Sequence, residues 1–196
     1  MSEDRSIGAV ILAAGASRRY GSPKQLVIVD GLTLLEHAIA AAAAVDLAPV
    51  VAVVPVWLSR PASLADERLR WIRNPFPERG MSLSLRLAFD ALGDEIGAAL
   101  ILLGDQPRVP EASIRAVIAA RGHRPVVAAR ASGILAPPVL LERSHFRLVE
   151  GLIGDIGLRK LLRDNPELVT AISVAAHPPD LDEPADLHRL AGDGAG

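Results

Sequence analysis

The stretch IGAVILAAGASRRYGSPK, residues 7–24, sets an apolar run directly against a loop holding two glycines and three cations. The run from Ile7 to Ala14 reads as a buried strand, since a short unbroken apolar segment closed by a turn signal suits a strand covered on both faces. Beyond it, Gly15 and Gly21 permit backbone conformations and close approaches that a Cβ would block. Arg18, Arg19 and Lys24 bring three positive charges to the same short loop. A strand that opens into such a loop is suited to hold a chain of phosphates. The spacing fits neither common phosphate-binding pattern. A Walker loop needs Gly, four residues, then Gly-Lys-Ser/Thr, whereas five residues separate Gly15 from Gly21 and the lysine follows three later. A dinucleotide fingerprint needs Gly-x-Gly-x-x-Gly, and Ser17 stands where its second glycine belongs.

A second apolar strand, LILLGDQP at residues 100–107, ends in Asp105. In an open parallel sheet ligands bind beyond the carboxyl ends of strands, so Asp105 is placed where the phosphate loop also opens. A carboxylate beside phosphates calls for a cation between them, and Mg²⁺ held by one or two carboxylates plus phosphate oxygens is the usual arrangement. By itself a Gly-Asp at a strand end also serves as a turn, with Pro110 opening the next helix at its first position. Joined to the loop at residues 15–24, the pair reads as a metal and triphosphate site.

The rest of the chain alternates extended apolar runs with helical patterns, as a mostly parallel sheet with crossover helices requires. Strands are predicted at 8–13, 49–54, 70–73, 98–103, 126–129 and 168–175. Thr33 with Glu36 forms a capping box for a helix reaching Ala44. Leu85, Ala88, Phe89 and Leu92 make one apolar helix face. Pro110 starts and Gly122 stops another helix, carrying Ile114, Val117 and Ile118. Residues 144–163 read as two helical pieces broken near 151–157. The prediction is a three-layer, Rossmann-like α/β fold with a mostly parallel sheet, in one domain over residues 1–196 with a frayed tail at 191–196. Half of the 196 residues are hydrophobic and only 3% are aromatic, so the core must be aliphatic and alanine-rich.

Composition also excludes several functions. A net charge of −2 gives no field to gather nucleic acid. With no cysteine there is no disulfide, thiolate metal site or cysteine nucleophile, which suits a cytoplasmic protein. The longest apolar runs fall short of the ~20 residues that a membrane span needs. Glu3 and Asp4, ahead of the first strand, argue against a signal peptide. The five histidines lack metal-ligand spacing and read as packing or surface residues.

The pattern Leu12-Ala13-Ala14-Gly15-x-Ser17-x-Arg19-x-Gly21-x-Pro23-Lys24-Gln25-Leu26, with Gly104-Asp105-Gln106-Pro107, resembles the MobA-like nucleotidyltransferases. Within that group it is most similar to the molybdenum cofactor cytidylyltransferases. Asn74 with Gly80-Met81-Ser82-x-Ser84-Leu85-Arg86, and Asp180-Leu181-Asp182-Glu183-Pro184-Ala185-Asp186-Leu187, extend the likeness over residues 7–190.

The resemblance implies a transferase moving CMP from CTP to the terminal phosphate of molybdopterin, a phosphorylated pterin-type acceptor, with release of pyrophosphate. It implies transient contact with a molybdoenzyme or its chaperone. It assigns Arg19 and Lys24 to the triphosphate, Leu12, Ala13, Ala14, Gly15, Asn74, Gly80, Ser84 and Gly104 to the nucleotide, and Asp105 with Asp182 to Mg²⁺. Asp180 and Asp182 flank Leu181 in an extended stretch and point to opposite sides, so one of them faces the ion. Asp155 reads either as a ligand-side residue or as the N-cap of the helix that follows, and Arg159 as a contact for an anionic acceptor. Ala13-Ala14-Gly15, in place of an Ala-Gly-Gly arrangement, leans away from the guanylyl branch. A guanylyltransferase, a sugar- or metabolite-phosphate nucleotidyltransferase, and a nucleotide-binding chaperone or sensor are the alternatives. The sequence departs from the cytidylyl branch at residues 132–138, read as a loop bordering the acceptor, and at Glu183 and Ala185.

Overall fold

The structure, a computed structural model, describes residues 6–15, 20–106, 109–154 and 158–174. The apolar run at the amino-terminal end forms β1 (Ile7–Leu12), and a short hairpin, β2 (Ile28–Val29) and β3 (Leu32–Thr33), leads into α1 (Leu34–Ala43). Then follow β4 (Val50–Pro55), β5 (Leu69–Asn74), α2 (Met81–Asp90), β6 (Ala98–Leu103) and α3 (Glu111–Ala119). The chain continues through β7 (Val126–Ala131), β8 (Ile134–Glu142), α4 (Arg147–Glu150), α5 (Leu158–Asp164) and β9 (Val169–Ser173).

The main sheet has seven strands in the order β5-β4-β1-β6-β8-β7-β9. β8 runs antiparallel to β6 and β7, and the remaining pairings are parallel. Side chains alternate between the two faces of each strand. Ala9, Ile11, Leu100 and Leu102 pack with Leu35, Ala38, Ile39 and Ala42 of α1 and with Ile114 and Val117 of α3. On the opposite face, Val10, Leu12, Val51, Val53 and Ile101 meet Leu85 and Ala88 of α2, Val149 of α4 and Leu158, Leu161 and Leu162 of α5. The result is the three-layer α/β fold, with an aliphatic, alanine-rich core.

The local signals act as the sequence dictates. Thr33 Oγ1 accepts from the Glu36 amide at 3.2 Å, and Glu36 Oε2 accepts from the Thr33 amide at 2.8 Å, closing the capping box of α1. His37 on that helix donates from Nε2 to the Val29 carbonyl at 2.8 Å, so this histidine pins helix to hairpin. The six predicted strands are present, with 98–103 matched at both ends and no end displaced by more than two residues. The helical region at 144–163 is broken as its glycines require, α4 ending before Gly151 and α5 starting at Leu158.

One expectation is corrected. Residues 132–138 are not a loop: Ser132 and Gly133, at φ 48° and 83°, make a tight turn, and Ile134 begins β8. Pro137 and Pro138 mask this strand in the sequence, because proline cannot donate to a ladder. They fit because Ala128 pairs with Val139 and Ala129 with Ala136, which leaves both prolines in the irregularity of the β7–β8 ladder. Pairing of β8 with β6 starts only at Val139.

Among the described residues no helix is long and apolar enough to cross a membrane. The chain passes from β1 to β4 and β5 on one side of the sheet, then returns to lay β6 against the other side of β1. This reversal places a crevice at the carboxyl ends of β1 and β6, the position where open α/β sheets bind ligands.

Candidate active site

The parallel strands β5, β4, β1 and β6 all end on that side of the sheet. Leu12 pairs with Leu103 of β6 and with Val53 of β4. The ladders run one step further, since the Ala13 amide donates to the Val53 carbonyl at 2.8 Å and the Gly104 amide to the Leu12 carbonyl at 2.9 Å. Gly104 packs directly on the start of the loop leaving β1: a Cβ there would stand 2.6 Å from the Ala13 Cβ and 3.2 Å from its Cα. Contact this close leaves no room for any side chain. It sets Asp105, half-buried at the end of β6, beside the loop leaving β1.

Leu12, Ala13 and Ala14 are all buried in the two core layers. What they offer a ligand is therefore backbone. Gly15 is exposed, and a Cβ there would meet no atom of the described residues within 4 Å. The protein's own packing thus does not demand glycine at this position, whereas Gly21, at φ 75°, lies in the left-handed region.

Lys24 occupies a one-turn 3-10 helix over Lys24–Leu26, set by the Leu26 amide donating to Pro23 at 3.0 Å and the Val27 amide to Lys24 at 2.9 Å. It is only 9% exposed, far from the solvated side chain of an ordinary basic turn. Its neighbour Gln25 is 2% exposed. Sequence gave Gln25 no role of its own; its burial is visible only in the fold.

Asn74 and Ser84 are brought together between the end of β5 and the first turn of α2. Asn74 is fully buried at the end of β5, accepts from the Phe76 amide at 2.9 Å through Oδ1, and donates from Nδ2 to Ser84 Oγ at 3.0 Å. Both side chains therefore hold the β5–α2 connection in shape. Gly80 makes this possible: at φ 82° it ends the connection and caps α2, whose first turn carries Ser82 and Ser84 inward. Ser82 Oγ is buried with no hydrogen-bond partner among the described residues, and its amide donates to Gly154 at 3.1 Å. Arg86, one helical turn on, donates to the Leu152 carbonyl at 2.7 Å, so this arginine positions the same segment. Trp57 and Phe76 stand 57% and 46% exposed just past the ends of β4 and β5, an aromatic rim that the sequence reading did not single out.

Arg19, Pro107, Asp155, Asp180 and Asp182 lie outside the described residues. Among the described residues no group of three or more histidine or acidic side chains gathers to hold an ion. A single carboxylate at the phosphate side is nevertheless a hard oxygen donor of the kind that Mg²⁺ takes in ones and twos, so Asp105 fits that ion.

Residues 9–170 match the MobA-like NTP transferase domain. The chain belongs to that family. Its fold recurs in solved structures: Rv0371c from Mycobacterium tuberculosis H37Rv superposes with a TM-score of 0.81 at 26% identity, covering 96% of this chain and 98% of that one. The purine catabolism protein PucB of Bacillus subtilis is 28% identical over 186 residues, 89% of each chain. The bifunctional protein GlmU of Lactococcus lactis is 29% identical over 111 residues, 56% of this chain. The aligned part is 24% of GlmU, so the chain spans about a quarter of that protein's length.

Proposed function

We propose that this MobA-like nucleotidyltransferase uses CTP and transfers CMP to the terminal phosphate of molybdopterin, releasing pyrophosphate. The observation that carries the reading is the packing of Gly104 on Ala13, which holds Asp105 against the mouth of the loop that leads to the buried Lys24. The choice of CTP rests on Pro23-Lys24-Gln25 and Gly104-Asp105-Gln106-Pro107, the forms that resemble the cytidylyl branch.

An oxygen of the acceptor phosphate attacks the α-phosphorus of CTP. The bond from that phosphorus to the oxygen bridging to the β-phosphate breaks, and pyrophosphate leaves in line. The attacking phosphate is already ionised at neutral pH, so no general base is required. Lys24 places its charge at the transferring phosphoryl group, and Arg19 spans two phosphate oxygens with its planar fork. Asp105 and Asp182 would hold Mg²⁺, which when bound neutralises charge on the phosphates. Ser82 and the α2 first turn, held by Asn74 and Ser84, form the wall against which the nucleoside rests. The pterin-type product then passes to a molybdoenzyme or its chaperone in a transient contact.

Calorimetric titration with CTP, GTP and ATP, each with Mg²⁺, tests the donor assignment. CTP binds most tightly; equal or tighter binding of GTP moves the protein to the guanylyl branch.

A further inference from the structure

Gln25 carries a hydrogen-bond donor that the fold leaves unused. The residue is 2% exposed, and its Nε2 has no hydrogen-bond partner among the described residues. The turn that bears it is fully ordered by its own backbone, with the Leu26 and Val27 amides donating to Pro23 and Lys24 at 3.0 and 2.9 Å. The turn also packs on α1, whose first amide, at Leu34, donates to Val27 at 3.0 Å. An exposed, mobile amide would find water; one buried on a fixed turn does not. Leaving such a donor unpaired is unfavourable, and an apolar residue of the same shape would serve the free protein at least as well.

We infer that Gln25 is a nucleotide-contacting residue whose Nε2 donates to an acceptor oxygen of the bound nucleoside. The inference rests on the nucleotidyltransferase reading above and deepens it. Two features assign the contact to the nucleoside rather than to the phosphates. Successive residues of a 3-10 turn diverge by about a third of a turn, so Gln25 does not follow Lys24 onto the same phosphoryl group. A neutral amide also adds little beside a lysine at a triphosphate, whereas a sugar hydroxyl or base carbonyl is matched by a neutral donor. The ligand then completes a hydrogen bond that the empty protein lacks, and discrimination follows, because a ligand without that oxygen leaves the donor buried and unpaired.

The test compares Gln25→Met, which keeps length and volume but has no donor, with the wild-type protein. Affinity for CTP and for inorganic tripolyphosphate is measured with Mg²⁺, together with the melting temperature of each protein without ligand. The expected result is a loss of about tenfold in CTP affinity, unchanged tripolyphosphate affinity, and a melting temperature equal to or above that of wild type. Wild-type CTP affinity in the variant overturns the inference, and a parallel loss for tripolyphosphate overturns the assignment to the nucleoside. If Gln25→Met does not fold, Gln25→Glu decides by the same comparisons, since an ionised carboxylate keeps the shape and cannot donate. A wild-type protein that binds no nucleoside triphosphate refutes the parent reading, an outcome distinct from a variant that binds as well as wild type.

Discussion

A Cβ built on Gly104 would sit 2.6 Å from the Cβ of Ala13, so the strand end that carries Asp105 and the strand end that opens the phosphate loop are packed backbone against backbone. The two halves of the proposed site are joined by this contact. Gly104→Ala must push the strand ends apart, at a cost of about 1–3 kcal/mol for overpacking. Urea denaturation measures that loss, and turnover in the same variant falls because Asp105 moves away from the loop.

Gly15 gives the opposite case. A methyl group there meets nothing among the described residues within 4 Å, so Gly15→Ala leaves stability within about 1 kcal/mol of wild type. In the proposed reaction the phosphates approach the backbone at this position, so nucleotide affinity is expected to drop nonetheless. Thermal melting and nucleotide titration of this single variant separate the two effects.

Much of this was legible in the sequence. The apolar runs at Ile7–Leu12 and Ala98–Leu103 are buried on both faces, which makes a strand readable without periodicity. The Thr33 and Glu36 pair is a local signal whose partners sit three residues apart, and it forms as read. β8 was hidden because Pro137 and Pro138 break every local strand rule, and their tolerance depends on a ladder irregularity set by β7, a non-local fact. For the same reason, burial of Lys24 and Gln25 was invisible: the turn is short and polar in sequence, and its burial, with packing on α1, is a non-local fact. The resemblance assigned Asn74 and Ser84 to the nucleotide, whereas their mutual hydrogen bond needed the β5–α2 geometry.

That hydrogen bond supports a further expectation. Ser84→Ala strips the 3.0 Å partner from a fully buried amide and costs about 1–3 kcal/mol, with Asn74→Ala costing at least as much because the Phe76 amide also loses its acceptor. The double variant is less damaging than the sum, a coupling read from denaturation of all four proteins.

Glu36 predicts a pH effect. Hydrogen bonds from the Thr33 backbone and hydroxyl hold its carboxyl below the usual glutamate range. A carboxylate stabilised in the folded state contributes stability above its unfolded value, and that contribution is lost as pH falls through its folded value. Wild type therefore loses more stability than Glu36→Gln on acidification below about pH 4. Denaturation midpoints of both proteins across that range provide the check, and equal slopes would remove the capping carboxylate from the account.

Lys24→Met keeps the length of a buried side chain and removes its charge. Turnover falls on the order of 100-fold, with a much smaller change in nucleotide affinity, since the charge acts most strongly on the transferring phosphoryl group. Steady-state kinetics and titration of the same variant measure both quantities.

Pyrophosphate release measured with Mg²⁺, a molybdopterin acceptor and each nucleoside triphosphate in turn, for wild type and Asp105→Asn, tests the proposed reaction most directly. Wild type releases pyrophosphate with CTP well above GTP, ATP and UTP, only when acceptor is present, and Asp105→Asn, folded as judged by its melting curve, releases almost none. Binding of CTP without any pyrophosphate release, or undiminished release from Asp105→Asn, would contradict the account.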